Sequence, residues 1–151
     1  MQRRWRDAWR GWRRFGETEP HWSVLSSPAF KSARIGEVID EFYTTGEGDL
    51  RRWMELVERG AVRFPSRGTC LELGCGVGRL TLGLSRSFEH VIGLDVSASH
   101  LDLAEEVLRK EGRTNIELRR VNTLEAFQQL PEIDRFFSLI VLQHNPPPVM
   151  C

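Results

Sequence analysis

Residues 69–78 read Thr-Cys-Leu-Glu-Leu-Gly-Cys-Gly-Val-Gly, and residues 90–97 read His-Val-Ile-Gly-Leu-Asp-Val-Ser. Thr69–Leu73 is a short apolar run that ends in glycine, the pattern of a buried strand. Gly74, Gly76 and Gly78 fall at alternate positions, so the main chain can turn tightly and a ligand can approach it closely. The loop opens a helix predicted over Gly78–Phe88, whose first N–H groups favour a negatively charged group. The spacing is GxGxG, and Arg79 stands where a dinucleotide fingerprint has its third glycine. No Gly-Lys-Ser/Thr follows, so a Walker loop is excluded. Glu72, just before the glycines, disfavours a bound pyrophosphate and favours a ligand with a cationic part. His90–Leu94 reads as a second strand, and Asp95 at its end stands 17 residues after Gly78. A carboxylate at that strand end faces the same crevice and can accept both hydroxyls of a ribose.

Alternation of strands and helices continues outward from these two strands. Ser97 is placed to cap a helix from Ala98 to about Lys110, and Gly112 ends it. Asn115–Val121 alternates as a strand, Leu124–Leu130 is a short helix closed by Pro131, and Phe136–Leu142 is a near-continuous apolar run. Such a run marks a strand covered on both faces. The order β-α-β-α-β-α-β predicts an α/β fold, a doubly wound parallel sheet with right-handed crossovers.

Length and charge agree with one folded domain. The chain has 151 residues, 21 basic and 21 acidic, which argues against a nucleic-acid binder held by bulk charge. A hydrophobic share of 40% and a charged share of 28% are ordinary for a globular protein. The three cysteines, Cys70, Cys75 and Cys151, fit neither a disulfide framework nor a metal site. They read as reduced thiols in a cytoplasmic protein, and no apolar run reaches the length of a membrane span.

Residues 1–15 form a separate unit, a basic amphipathic helix. Residues 1–14 hold six arginines against Asp7, and Trp5, Trp9 and Trp12 fall on one helical face. That face either docks on the rest of the chain or meets a protein partner or a membrane surface through residues 3–14. Residues 16–67 read as a helical and irregular cap. Gly16, Pro20, Pro28 and four serines make 16–34 irregular. A short helix is expected at Gly36–Phe42, a break at Thr44–Gly48, and a helix over Leu50–Arg59 capped by Asp49, with Trp53, Leu56 and Val57 on one face. Pro65–Gly68 reads as a turn. Residues 68–151 make up the third unit.

Within that unit, ELGCGVGRLT followed by VIGLDVS resembles the first two motifs of class I S-adenosylmethionine-dependent methyltransferases. The resemblance covers residues 69–145 and implies a Rossmann-like sheet with strand order 3-2-1-4. It implies that Gly74, Gly76 and Gly78 pack against the methionine part and ribose of S-adenosyl-L-methionine. It places Glu72 near the ammonium group, Asp95 on the ribose hydroxyls and Val96 beside the adenine. Val121-Asn122-Thr123-Leu124 ends the third strand. Asn122 stands where many members have an acid, and it reads equally as an adenine contact or a turn residue. Thr123, Leu124 and Gln143 complete the expected cofactor contacts.

Two motifs compete at the end of the fourth strand. Asn145-Pro146-Pro147 resembles the Asn-Pro-Pro-aromatic loop of amino-group methyltransferases, but Pro148 replaces the aromatic residue and Gln143-His144 intervene after the strand. Leu142-Gln143-His144 is the better match, to a turn found in small-molecule methyltransferases. His144 is then the candidate catalytic base, or else a loop histidine that supports the pocket. His21, His90 and His100 read as structural or exposed. A full domain of this family has seven strands, so a chain with four is expected to be the N-terminal part of a longer protein. The expected acceptor is a small molecule, with no nucleic acid and no metal. The alternative from another class is a non-catalytic methyltransferase-like module that binds a partner through its Trp/Arg helix; a nicotinamide oxidoreductase is a third reading.

Overall fold

A computed structural model describes residues 2–60 and 68–144. Four parallel strands form one sheet in the order β3-β2-β1-β4, with β1 at Thr69–Leu73, β2 at His90–Asp95, β3 at Ile116–Arg120 and β4 at Arg135–Phe137. Leu71 pairs with Ile92 and Phe136, and Ile92 with Glu117. Among the described residues five helices pack with the sheet: α1 Gln2–Thr18, α2 Pro20–Val24, α3 Ile35–Arg59, α4 Thr81–Ser87 and α5 Ala98–Lys110. The Rossmann-like sheet and its strand order are as expected.

Strand alternation divides the core between two faces. Cys70 and Val91 point to one face, where they pack with Leu84 and Phe88 of the α4 region and Leu50 of α3. Leu71, Ile92 and Leu94 point to the other, where they meet Val121 and Trp9 of α1. A third cluster joins Phe42 and Tyr43 of α3 to Val77, Ala104 and Leu108. The tryptophan face of α1 therefore docks on the chain's own core at Trp9. Among the described residues no helix is long and apolar enough to cross a membrane.

The N-terminal third is more regular than its composition predicts. Residues 16–34 are irregular only in part: α1 runs to Thr18, Pro20 begins α2, and a 3-10 turn spans Pro28–Phe30. Proline suits the first helical position because its missing N–H would have had no partner there. The expected break at Thr44–Gly48 is also absent. One helix, α3, runs through it, with a local departure only at Val38 (φ −132°, ψ 20°). Asp49 is thus inside the helix rather than at its cap. Gly46 serves close approach, since a Cβ there would lie 2.2 Å from the Arg79 carbonyl oxygen. Trp53 and Leu56 are 45% and 53% exposed, so the expected apolar face does not form.

Two further expectations are corrected near the glycine loop and at the sheet edge. Helix α4 begins at Thr81 rather than Gly78, because Gly76 and Gly78 take positive φ and the chain is still turning. The apolar run Phe136–Leu142 does not form a strand of that length. Only Arg135–Phe137 pairs, on β1 alone, and Phe136 is 53% exposed. The Ser138 hydroxyl donates to the Leu73 carbonyl oxygen (3.2 Å), and Ile140 takes φ +59°, which turns the chain away from the sheet. A 3-10 turn at Leu142–His144 follows. The Leu124–Leu130 helix is likewise a 3-10 turn, Leu124–Gln129. The Pro65–Gly68 turn up to residue 67, the Asn145–Pro148 motif and Cys151 lie outside the described residues.

Candidate functional site

The carboxyl ends of β1 and β2 open into a cavity of about 670 Å³, within the range that holds small ligands and cofactors. Ends of parallel strands are where open α/β sheets bind ligands. Here the floor is the glycine loop. Gly74 takes φ +76° and Gly76 φ +54°, conformations that an L side chain rarely adopts. A Cβ on Gly74 would lie 2.4 Å from Val141, and one on Gly76 would lie 2.6 Å from Val24. The amides of Gly74 and Cys75 donate to the Leu94 carbonyl oxygen at 2.7 and 3.0 Å, which ties the loop to the end of β2. Tyr43 of α3 donates its hydroxyl to the Val77 carbonyl oxygen at 3.0 Å, bracing the loop from behind.

Asp95 is the charged centre of this floor. Its Oδ2 accepts from the Gly76 N–H at 2.9 Å and its Oδ1 from the Ser97 N–H at 2.8 Å. A carboxylate offers about four lone-pair sites, so two remain for a ligand on the cavity side. Leu94, Val96, Val121 and Phe127 supply apolar wall around it. Glu72 lies deeper, 2% exposed, and accepts from the Thr81 hydroxyl at 2.6 Å. Burial pushes its carboxyl up to about 7, against the Thr81 hydrogen bond and the field of Arg79, which lower it. Arg79 itself is buried and turned away from the cavity. It donates to Thr45 Oγ1 at 3.1 Å and Asp49 Oδ2 at 2.7 Å, on α3. Burial also raises the thiols of Cys70, to about 12, and of Cys75, so both stay protonated and unreactive.

The cavity roof comes from segments distant in sequence. Trp9 and Trp12 of α1, Ser23–Ser26 at the end of α2, and Leu139–His144 line it. The His144 ring meets Trp12 edge to face, with centroids 5.2 Å apart.

The structure thus gathers Gly74, Gly76, Asp95, Val96, Gln143 and His144 around one cavity. It leaves other expected residues outside the lining. Glu72 is behind the floor. Gly78 packs on α5, where a Cβ would lie 3.2 Å from Ala104 Cβ. Asn122 and Thr123 are exposed to solvent, and Val121 and Phe127 take the place in the wall expected of them; Leu124 begins the 3-10 turn, and its side chain lies outside the described residues. Sequence reading missed Trp12, Ser23 and His100 as cavity residues. Only the helical spacing of the tryptophans carried a signal, and it did not say which surface they cover.

A parallel 3-2-1-4 sheet with a glycine loop after β1 and an acid after β2 defines a nucleotide-cofactor-binding α/β domain. A family model described as a methyltransferase domain matches residues 70–150, and the chain belongs to that family. Over 80 residues, 53% of its length, the chain is 36% identical to a tRNA/tmRNA (uracil-C(5))-methyltransferase from Nitratiruptor sp., spanning 22% of that protein. Over 79 residues, 52% of its length, it is 33% identical to a ubiquinone biosynthesis O-methyltransferase from Dechloromonas aromatica, spanning 34% of that protein. Its fold matches phosphoethanolamine N-methyltransferase 1 from Haemonchus contortus, solved with phosphoethanolamine and S-adenosylhomocysteine. The TM-score is 0.65 at 15% identity, over 93% of this chain and 26% of that one.

Proposed function

We propose that the chain binds S-adenosyl-L-methionine in this cavity and serves methyl transfer to an O, N or C nucleophile of a small molecule. The observation that carries this reading is Asp95. Its two backbone hydrogen bonds hold a half-satisfied carboxylate on the cavity floor, beside a glycine loop that side chains would fill. The residues present fit the cofactor: a diol acceptor at Asp95, a bare backbone at Gly74 and Gly76, and an apolar wall at Val96, Val121 and Phe127 for a flat base.

When bound, the cofactor supplies an activated methyl group and leaves as a neutral thioether. The protein's part is to orient the reactants and keep water out. Asp95 would hold the ribose. Glu72 would favour the ammonium group through its charge rather than by contact, and a bound ammonium would drive off the proton that burial keeps on it. His144 would take the acceptor's proton where the acceptor has one to lose. Among the described residues no Lys or Arg lines the cavity, which supports an acceptor without phosphate over a nucleic acid. A binding module acting through α1 has less support, because Trp9 belongs to the domain's own core.

The test is isothermal titration with S-adenosylhomocysteine. Wild type should bind. Asp95→Ala should bind on the order of a hundredfold more weakly, since two hydrogen bonds to a charged group are lost. Circular dichroism checks that the variant is folded, and Asp95→Asn, which keeps the shape, should also bind more weakly. A folded wild type with no affinity sinks the reading.

A further inference from the structure

We propose that His100 is a second acceptor for the ribose hydroxyls, working beside Asp95; the proposal rests on the cofactor reading above. Nothing in the motif of the glycine loop or of β2 points to this residue. It sits in the first turn of α5, is 2% exposed, and lines the cavity.

The tautomer of the ring is assigned from the hydrogen bonds around it. Ser23 donates its one hydroxyl proton to the Pro20 carbonyl oxygen at 2.8 Å. Its oxygen, 3.0 Å from His100 Nε2, is therefore the acceptor there, and Nε2 carries the proton. That leaves Nδ1 with its lone pair. Nδ1 is buried without a hydrogen-bond partner, and it stands 3.6 Å from Asp95 Oδ1. Two acceptors face each other with no donor between them, and an unpaired buried acceptor is costly. A donor must satisfy them when the site works, and a vicinal diol presents two O–H donors side by side. One would serve Asp95 and the other His100.

Packing against α1 and a backbone anchor hold the residue in place. Gly16 of α1 lies against it so closely that a Cβ there would be 3.4 Å from His100 Cδ2 and 2.1 Å from Ser97 Oγ. Ser97 Oγ accepts the His100 N–H at 3.3 Å, which anchors the backbone. Asp95 of β2 faces the ring, and His21 of α2 has its imidazole held below the ordinary range by burial and then by His100.

The experiment is calorimetric titration of the full chain with S-adenosylhomocysteine and its 2′-deoxy analogue. Wild type should bind the ribose form more tightly than the deoxy form. His100→Asn keeps an oxygen acceptor near Nδ1 and should bind within a few fold of wild type. His100→Phe should lose about tenfold and most of its preference for the ribose over the deoxyribose. An undiminished ribose preference in His100→Phe overturns the proposal, as does a His100→Asn as weak as His100→Phe. Should His100→Phe not fold, His100→Leu is read for the same preference. No binding by wild type overturns the cofactor reading itself, a separate and visible result.

Discussion

The floor and the roof of the cavity are built on different terms. The floor is backbone: Gly74, Gly76 and the Asp95 carboxylate are joined by short-range hydrogen bonds between β1 and β2, and a side chain at either glycine would collide with the roof. The roof is side chains: Trp9, Trp12 and the turn at Leu142–His144 arrive from opposite ends of the chain and meet through aromatic contacts. A backbone floor makes its demands in the choice of residue type, and such demands are written locally. A side-chain roof depends only on something of the right size arriving from elsewhere.

The largest effect should come from the roof where it becomes core. Trp9 is buried against Leu71, Ile92, Leu94 and Val121. Trp9→Ala should cost about 3–5 kcal/mol of stability, the range for a large aromatic residue cut back in a core. Denaturant unfolding measures it. A loss below about 1 kcal/mol would mean that α1 is an appendage and that the roof is dispensable, and the contrast between the two walls would then collapse into floor and decoration.

This asymmetry also explains what was legible in the sequence. The parallel sheet was legible in the alternation of strands and helices, its order β3-β2-β1-β4 in the resemblance carried by Gly74–Gly78 and Asp95, and the cavity floor in those same residues, because tight turns, close approach and strand-end carboxylates restrict residue choice at fixed spacing. The long helix α3 did not. Gly46 and Gly48 looked like breakers, since glycine's weak helical propensity is a local fact while the packing that overrides it lies at Arg79, over thirty residues away. His100 was invisible for the same reason: its meaning depends on Ser23 and Asp95, which come from two other elements. Phe136–Leu142 misled in the opposite direction. From Leu139 onward its apolar residues line the cavity instead of continuing a strand covered on both faces.

The second effect sharpens the floor. Glu72 carries its proton to about pH 7 in the folded protein, against an ordinary value of 4.5. A carboxyl raised in the folded state contributes stability that is complete below about 4.5 and lost as pH rises through about 7. The separation amounts to on the order of 3 kcal/mol. Wild type should therefore weaken between pH 5 and pH 8 by roughly that much more than Glu72→Gln, which has no proton to lose. Urea unfolding at both pH values tests this. Equal pH dependence in the two proteins would show that the Glu72 site is wet, and the floor would then be less rigid than its hydrogen bonds suggest.

The smallest effects are the sharpest, because they have opposite signs in one helix. Replacing glycine by alanine inside a helix ordinarily stabilises by about 1 kcal/mol. Gly48 has no heavy atom within 4 Å of the place a Cβ would take, so Gly48→Ala should show something near that gain. Gly46 has the Arg79 carbonyl oxygen at 2.2 Å, a backbone atom in the very loop that forms the cavity floor. Gly46→Ala should cost about 1–3 kcal/mol, the range for overpacking a tight contact, despite the better helix former. It should also weaken S-adenosylhomocysteine binding, because relief of the clash moves α3 off the segment that Tyr43 and Asp49 brace through Val77 and Arg79. Two glycines two residues apart, indistinguishable by propensity, thus differ only in what the fold brings against them. Equal gains at both positions would mean that α3 stands clear of the glycine loop, and that the floor holds its shape without support from the N-terminal half.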